Sequence, residues 1–275
     1  MKDGYRGVTA LVTGASKGLG RAYAEELTRR GARVILLARS ERDLRELATD
    51  LSERYDGPKA EVIAADLTAP DGPERVLAKL RDRGLAVDLL LNNAGMGSAG
   101  PFLDRPLAPQ LRSVGLNVGG LLALTHALGA EMVARGHGGV VNVSSTAAFQ
   151  PLPYQASYAA TKAFVLSFTE ALAEELRGTG VHVMAAHPGP VATGFFDGTS
   201  ATINPAVADK PEAVAARTLD DYARRRAVSY PGRFVNRALN RTLTWLPRLV
   251  PRALVTRTAG ALNRKLGLHE VVDLA

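Results

Sequence analysis

Six short, almost wholly apolar runs alternate with helix-patterned stretches, and this alternation constrains the fold more than any other feature. The runs are VTALVT (8–13), RVILLA (33–38), AEVIAA (60–65), VDLLLN (87–92), GVVNVS (139–144) and VHVMAA (181–186). A strand with one wet face alternates apolar and polar residues. Runs without alternation predict strands buried on both faces, as in a parallel sheet. Parallel strands need long crossovers, and helical patterns supply them. GRAYAEELTRRG ends at Gly31, a suitable C′ glycine, and SERDLRELATDLSERY opens at Ser40, an N-cap residue with Asp43 at N3. The expected fold is α/β, a doubly wound parallel sheet with helices on both faces. No repeat or linker breaks the pattern, so residues 1–230 read as one domain.

The 275 residues, 46% of them hydrophobic, can bury a full core. With no cysteine there is no disulfide, thiolate ligand or thiol nucleophile, and five scattered histidines lack ligand spacing, so no metal is expected. The opening MKDGYRGVTA lacks the apolar stretch of a signal peptide, and no run approaches the ~18 apolar residues of a spanning helix. A cytoplasmic protein is the expectation.

The net charge of +7 is unevenly placed. Between Tyr222 and His269 stand eleven Lys/Arg and no Asp or Glu, which leaves 23 basic against 27 acidic residues elsewhere. Residues 231–275 therefore read as a basic helical appendage packed on the same domain. In one continuous helix Arg237, Arg241, Arg248 and Arg252 would share an arc of ~60°. Pro247 and Pro251 predict two short amphipathic helices instead. Such helices suit a lid with a solvated basic face, or a surface for anionic membrane lipids or an anionic carrier. No aromatic platform accompanies the arginines, so nucleic acid is not an expected partner.

TGASKGLG (13–20) lies between the first strand and the first helix. Glycines let a backbone approach a pyrophosphate, and the following helix offers its positive end. Gly14, Gly18 and Gly20, with Ser16, Lys17 and Leu19 between them, fit a dinucleotide loop; a tight strand–helix turn is the plainer reading. A literal G-x-G-x-x-G at 95–100 precedes Pro101 and Phe102 rather than a helix start, and reads as coincidence.

Tyr158 and Lys162, four apart at the head of a long helical pattern, share a helix face. An ammonium beside a phenol favours the phenolate and should lower its pKa, tuning it for proton transfer. Ser145 ends the preceding strand thirteen residues before Tyr158. For a Tyr-x-x-x-Lys taken alone, an exposed helix pair is the better reading.

Together TGASKGLG, ADL (65–67), NNAG (92–95), LNV (116–118), NVSS (142–145), YAATK (158–162) and HPGPVAT (187–193) stand in an order that resembles the short-chain dehydrogenase/reductase family over about residues 5–230. The resemblance implies a Rossmann-type fold and hydride transfer between a nicotinamide and a carbonyl or secondary alcohol. It implies Tyr158 as general acid in reduction and base in oxidation, with Ser145 orienting the carbonyl. Lys162 would hold the nicotinamide ribose and depress the tyrosine pKa. Asn117 would hold a water linking Lys162 to solvent. Asp66 and Leu67 would meet the adenine, and Asn93, Ala94 and Gly95 would line the adenosine side. Pro188, Gly189, Val191 and Thr193 would embrace the nicotinamide. Plainer readings make Asn117 a helix-kink residue, Asp66 a strand-end cap, Ser144 a backbone partner and His187 a loop histidine.

Ala38 stands where the family's NAD-type acid falls, and Arg39 follows it. Arg39 and Lys17 predict a grip on the 2′-phosphate of NADP(H), unless Arg39 is only a solvated charge. The stretch around Tyr158 resembles hydroxysteroid dehydrogenases and long-chain 3-oxoacyl reductases. That resemblance, and Phe195 and Phe196 opening the loop 194–210, imply a hydrophobic, lipid-like carbonyl substrate. The family's long helices imply a homo-oligomer. An NADP-binding regulator or membrane adaptor with little turnover is the alternative.

Overall fold

A computed structural model describes residues 4–196, 207–232 and 249–270, together with Thr242 and Thr244. Each apolar run of the sequence is a strand: β1 (Thr9–Thr13), β2 (Arg33–Ala38), β3 (Glu61–Ala64), β4 (Leu89–Asn92), β5 (Gly138–Val143) and β6 (Val181–Ala186). A two-residue strand, β7 (Val228–Ser229), joins β6 and was not expected, because two residues carry no periodicity. The sheet order is β3-β2-β1-β4-β5-β6-β7 and every pairing is parallel. This is the Rossmann-like α/β fold.

The crossovers are α1 (Gly18–Arg29), α2 (Glu41–Arg54), α3 (Gly72–Asp82), α4 (Leu107–Val114), α5 (Leu121–Arg135), α6 (Ala156–Glu175) and α7 (Pro211–Ala223). Consecutive strand residues point to opposite faces. Ala10 and Val12 of β1 pack with Leu27 of α1 and Leu47 of α2, while Leu11 packs with Leu80 of α3 and Leu124 of α5. Both faces are covered, which explains the unbroken apolar runs. The Ser40 hydroxyl accepts a hydrogen bond from the Asp43 N–H at 3.3 Å and caps α2. Gly31 follows α1 at φ +87°.

A π-helical segment, Gly115–Gly120, joins α4 to α5. The resulting helix, Leu107–Arg135, is by length and composition able to cross a membrane, which the sequence expectation excluded. Its second half buries Leu121, Leu124, Leu128 and Met132, the behaviour of a core helix. Beyond the sheet lies α8 (Arg252–Lys265), which starts directly after Pro251. Arg237, Arg241, Arg248 and the first expected amphipathic helix lie outside the described residues.

Candidate active site

β1 lies between β2 and β4, so the chain winds outward from β1 in both directions. The crevice beyond the carboxyl ends of β1 and β4 is where such a sheet binds ligands. Two loops meet there. The Thr13 hydroxyl accepts hydrogen bonds from the N–H groups of Asn93 and Ala94, each at 2.9 Å, and the Asn93 amide donates to the Thr13 carbonyl at 2.9 Å. Gly14 has φ +68°, and a Cβ there would sit 3.0 Å from the Ala94 Cα. A Cβ on Gly20 would fall 2.1 Å from the Gly14 oxygen, so only glycine permits this flat turn. Ser16 is half-buried, Lys17 is exposed, and Leu19 packs against the core. Lys17 is the N-cap of α1, but its side chain caps nothing and the first turn carries no acid. The positive end of α1 is thus left to meet an anion. A cradle closed to any Cβ, beside an uncapped helix start, fits a pyrophosphate.

At the far end of β2 and β3, Arg39 and Asp66 line one cavity of about 310 Å³ with Ala64, Ala65, Arg75 and Lys79. Lys17 is not among its walls. Asp66 accepts from the Thr68 N–H at 2.9 Å and the Thr68 hydroxyl at 2.8 Å. Those bonds, with the charges of Arg39 and Arg112, hold its carboxyl below the usual range despite partial burial. Asp66 thus has the local turn-capping contacts of the plainer reading and also faces the cavity. Leu67 is buried against Gly120 of the π segment.

Ser145 follows β5 in extended conformation and is the N-cap of a short 3-10 turn, accepting from the Ala147 N–H at 3.1 Å. Tyr158 and Lys162 lie in the first two turns of α6, both buried. Tyr158 is hydrogen-bonded to Ser145. The Lys162 ammonium lies 5.9 Å from the centre of the Tyr158 ring. Burial pushes the Tyr158 phenol up to about 12, with the Ser145 hydrogen bond pulling the other way. This reverses the expected depression: the ammonium is turned to the Val143 carbonyl, 2.8 Å away. Lys162 itself is brought down to about 8 by burial. Ser144 is the backbone partner expected of it, donating to the Lys162 carbonyl at 2.8 Å.

Asn117 lies within the π segment, so its place is a helix irregularity, a feature frequent at functional sites. Its Oδ1 accepts from the Met96 N–H at 2.8 Å; its Nδ2 donates to the Met96 carbonyl and the Thr161 hydroxyl, each at 3.0 Å. The side chain therefore ties the loop after β4 to the start of α6. Gly95 lies between, its hypothetical Cβ 3.2 Å from Asn117 Oδ1 and 3.6 Å from Lys162 Nζ. The decoy glycines 95–100 are in non-helical backbone, as expected of a chance match.

After β6, Pro188 is buried and its carbonyl accepts from the Thr146 N–H at 3.0 Å, which ties this loop to the Ser145 turn. Gly189 is half-buried, and Val191 is buried and bridges to Asp209. Thr193 comes within 3.3 Å of where a Gly18 Cβ would be, closing the circuit to the glycine loop. Phe195 lies beside Tyr158, ring centres 5.7 Å apart. His187 is in the loop after β6, as the plainer reading has it, and is buried between the rings of Phe149 and Tyr230.

Residues 8–204 match the sequence model of a family described as short chain dehydrogenase. The chain belongs to the short-chain dehydrogenase family. A bovine very-long-chain 3-oxoacyl-CoA reductase is 36% identical over 191 residues, 68% of this chain and 60% of its own length. This chain thus spans about three fifths of that relative. A short-chain dehydrogenase from Sphingobium yanoikuyae, solved in complex with NADPH, superposes with TM-score 0.77 at 32% identity over 90% of this chain and 97% of its own. A 3-oxoacyl-[acyl-carrier protein] reductase from Brucella melitensis, solved with bound NAD, does so at 0.72 and 27%, covering 83% and 90%.

Four residues that position this site received no role from the sequence. Thr13, Thr161, Arg75 and Lys79 are joined to the site by tertiary contact, and only the spacing of Arg75 and Lys79, four apart on α3, hinted at a shared direction.

Proposed function

We propose that the protein is an NADP(H)-dependent reductase acting between a secondary alcohol and a hydrophobic, lipid-like ketone. The observation that carries this reading is the Tyr158–Ser145 hydrogen bond beside the Lys162 ammonium, in a fold whose glycine turn at the switch point of the sheet is closed to any Cβ. Gly14, Ser16, Gly18, Leu19 and Gly20 would hold the pyrophosphate, and Lys162 the nicotinamide ribose. When bound, the nicotinamide supplies or accepts the hydride at the substrate carbon. Ser145 donates a hydrogen bond to the substrate oxygen. Tyr158 transfers its phenolic proton to that oxygen in reduction and recovers it in oxidation. A phenol that burial keeps protonated is ready as the acid of the reductive direction. Lys162, brought down to about 8 by burial, would resupply that proton.

Ala38 in place of an acid, and the cations Arg39, Arg75 and Lys79 around one cavity, support a 2′-phosphate and hence NADP(H). The NADPH complex of the Sphingobium relative supports it too. Phe195 beside Tyr158 and the named substrate class of the bovine relative support a lipid-like ketone. Leu107, Leu111 and Val114 on α4 and Phe164 on α6 are exposed large apolar residues, which supports association of copies through these helices.

Turnover of a carbonyl panel, followed by NADPH oxidation, tests the reading. Tyr158→Phe should lower kcat by at least about 100-fold and keep NADPH fluorescence binding. No oxidation with any steroid, fatty ketone or 3-oxoacyl thioester, or full activity in the variant, overturns it.

A further inference from the structure

We infer that α8 is an interfacial helix whose outer face binds an anionic lipid bilayer. A surface helix of a globular protein turns its large apolar residues inward. In α8 the pattern is reversed. Its buried residues are Val255, Gly260 and Asn263, and the side against the body is made by the Asn263 amide donating to the Pro153 carbonyl at 2.8 Å and by Gly260 against the Pro153 ring. The leucines face out: Leu254 is 52% exposed, Leu262 and Leu266 58% each, and Leu249 just before the helix 80%.

The same outer face is cationic. Arg257, Ala261, Leu254, Lys265, Thr258 and Leu262 follow one another around about 140° of the circumference, all exposed. Arg252 and Arg264 are exposed as well, and α8 contains no acid. The charge decides what can cover the leucines. A second copy docked face to face would set these cations against themselves. An anionic bilayer offers apolar depth for the leucines and negative headgroups for Arg257 and Lys265.

The helix is also tied to the site. Arg264 donates to the Tyr154 hydroxyl at 3.3 Å, and the Tyr154 carbonyl accepts from the Gly100 N–H at 2.8 Å, four residues before Tyr158. A bilayer held by α8 therefore lies next to the segment that leads into the catalytic helix. Any benefit to a lipid-like substrate rests on the reductase reading; the lipid contact itself does not.

The test is co-sedimentation of the full chain with phosphatidylcholine vesicles, with or without phosphatidylglycerol, at low salt. Binding is expected only with phosphatidylglycerol. Leu262→Ser/Leu266→Ser and Arg257→Glu/Lys265→Glu should each lower the partition constant by about tenfold. Both variants should keep the wild-type circular dichroism spectrum and melting temperature, which shows them folded. The inference is overturned if the wild type stays in the supernatant, or if both variants pellet as it does. It is equally overturned by a dimer that the leucine variant abolishes, or by capture on a purified acidic carrier protein without vesicle binding. None of these outcomes touches the reductase reading, which is read from turnover.

Discussion

The Lys162 ammonium donates a hydrogen bond of 2.8 Å to the carbonyl of Val143, the last residue of β5. One residue later, the Ser144 hydroxyl donates to the Lys162 carbonyl at 2.8 Å. Strand end and helix start are thus laced twice, so adjacent serines do different work. Ser144→Ala should cost about 1 kcal/mol of stability, with little change in the pH profile of kcat. Ser145→Ala should lower kcat about 100-fold, with a loss of stability, from its cap on the 3-10 turn, of about the same size as that of Ser144→Ala. Thermal melts and steady-state kinetics on the pair check this; equal losses of kcat would refute the division.

Lys162 carries a stability signature of its own. Burial lowers its pKa from 10.5 to about 8. Below about 8 both the folded and the unfolded chain hold the proton, and the cost of the buried charge is fully present. Between about 8 and 10.5 the unfolded chain binds more protons, so stability rises with pH across that window. Urea melts from pH 7 to 10 should show the rise in the wild type and not in Lys162→Met. A flat or falling wild-type curve would contradict it.

Gly20→Ala drives a methyl group into the Gly14 carbonyl, at 2.1 Å in the unrelaxed backbone. Because the atom it meets is backbone, the loop must move. NADPH affinity should fall at least about tenfold, measured by fluorescence titration, while the circular dichroism spectrum stays native-like. Unchanged affinity would remove the loop from the cofactor site.

Arg39→Asp should weaken NADPH far more than NADH, shifting the ratio of their kcat/KM values by about 100-fold or more. Arg75→Ala, in the same cavity, should shift it in the same direction by less. A constant ratio in Arg39→Asp would sink the 2′-phosphate assignment.

The sheet was legible because burial on both faces leaves a composition mark. Each of β1 to β6 falls within a residue or two of its apolar run, whereas β7 is too short for any pattern. The Ser40 cap and Gly31 were legible because local backbone chemistry selects those residue types. The glycine loop and the Tyr158–Lys162 pair were legible from spacing and context. What was not legible is tertiary. The expectation for Tyr158 had the wrong sign because a sequence shows the neighbouring charge and hides the burial. The π turn around Asn117 leaves no mark that an ordinary helix would not leave. That the loop residue His187 is buried was not legible, because neither Phe149 nor Tyr230 is near it in sequence. The arginines of the C-terminal segment drew attention to charge, yet the outward leucines of α8 emerge only when burial is known.

Tyr154 has φ +68°, a left-handed conformation unusual for an aromatic residue. Its carbonyl meets the loop at Gly100, its hydroxyl meets Arg264, and its ring meets His269. One left-handed residue thus joins three stretches of chain that are far apart in sequence: the loop at Gly100, the end of the C-terminal helix and the segment that leads into the helix bearing Tyr158.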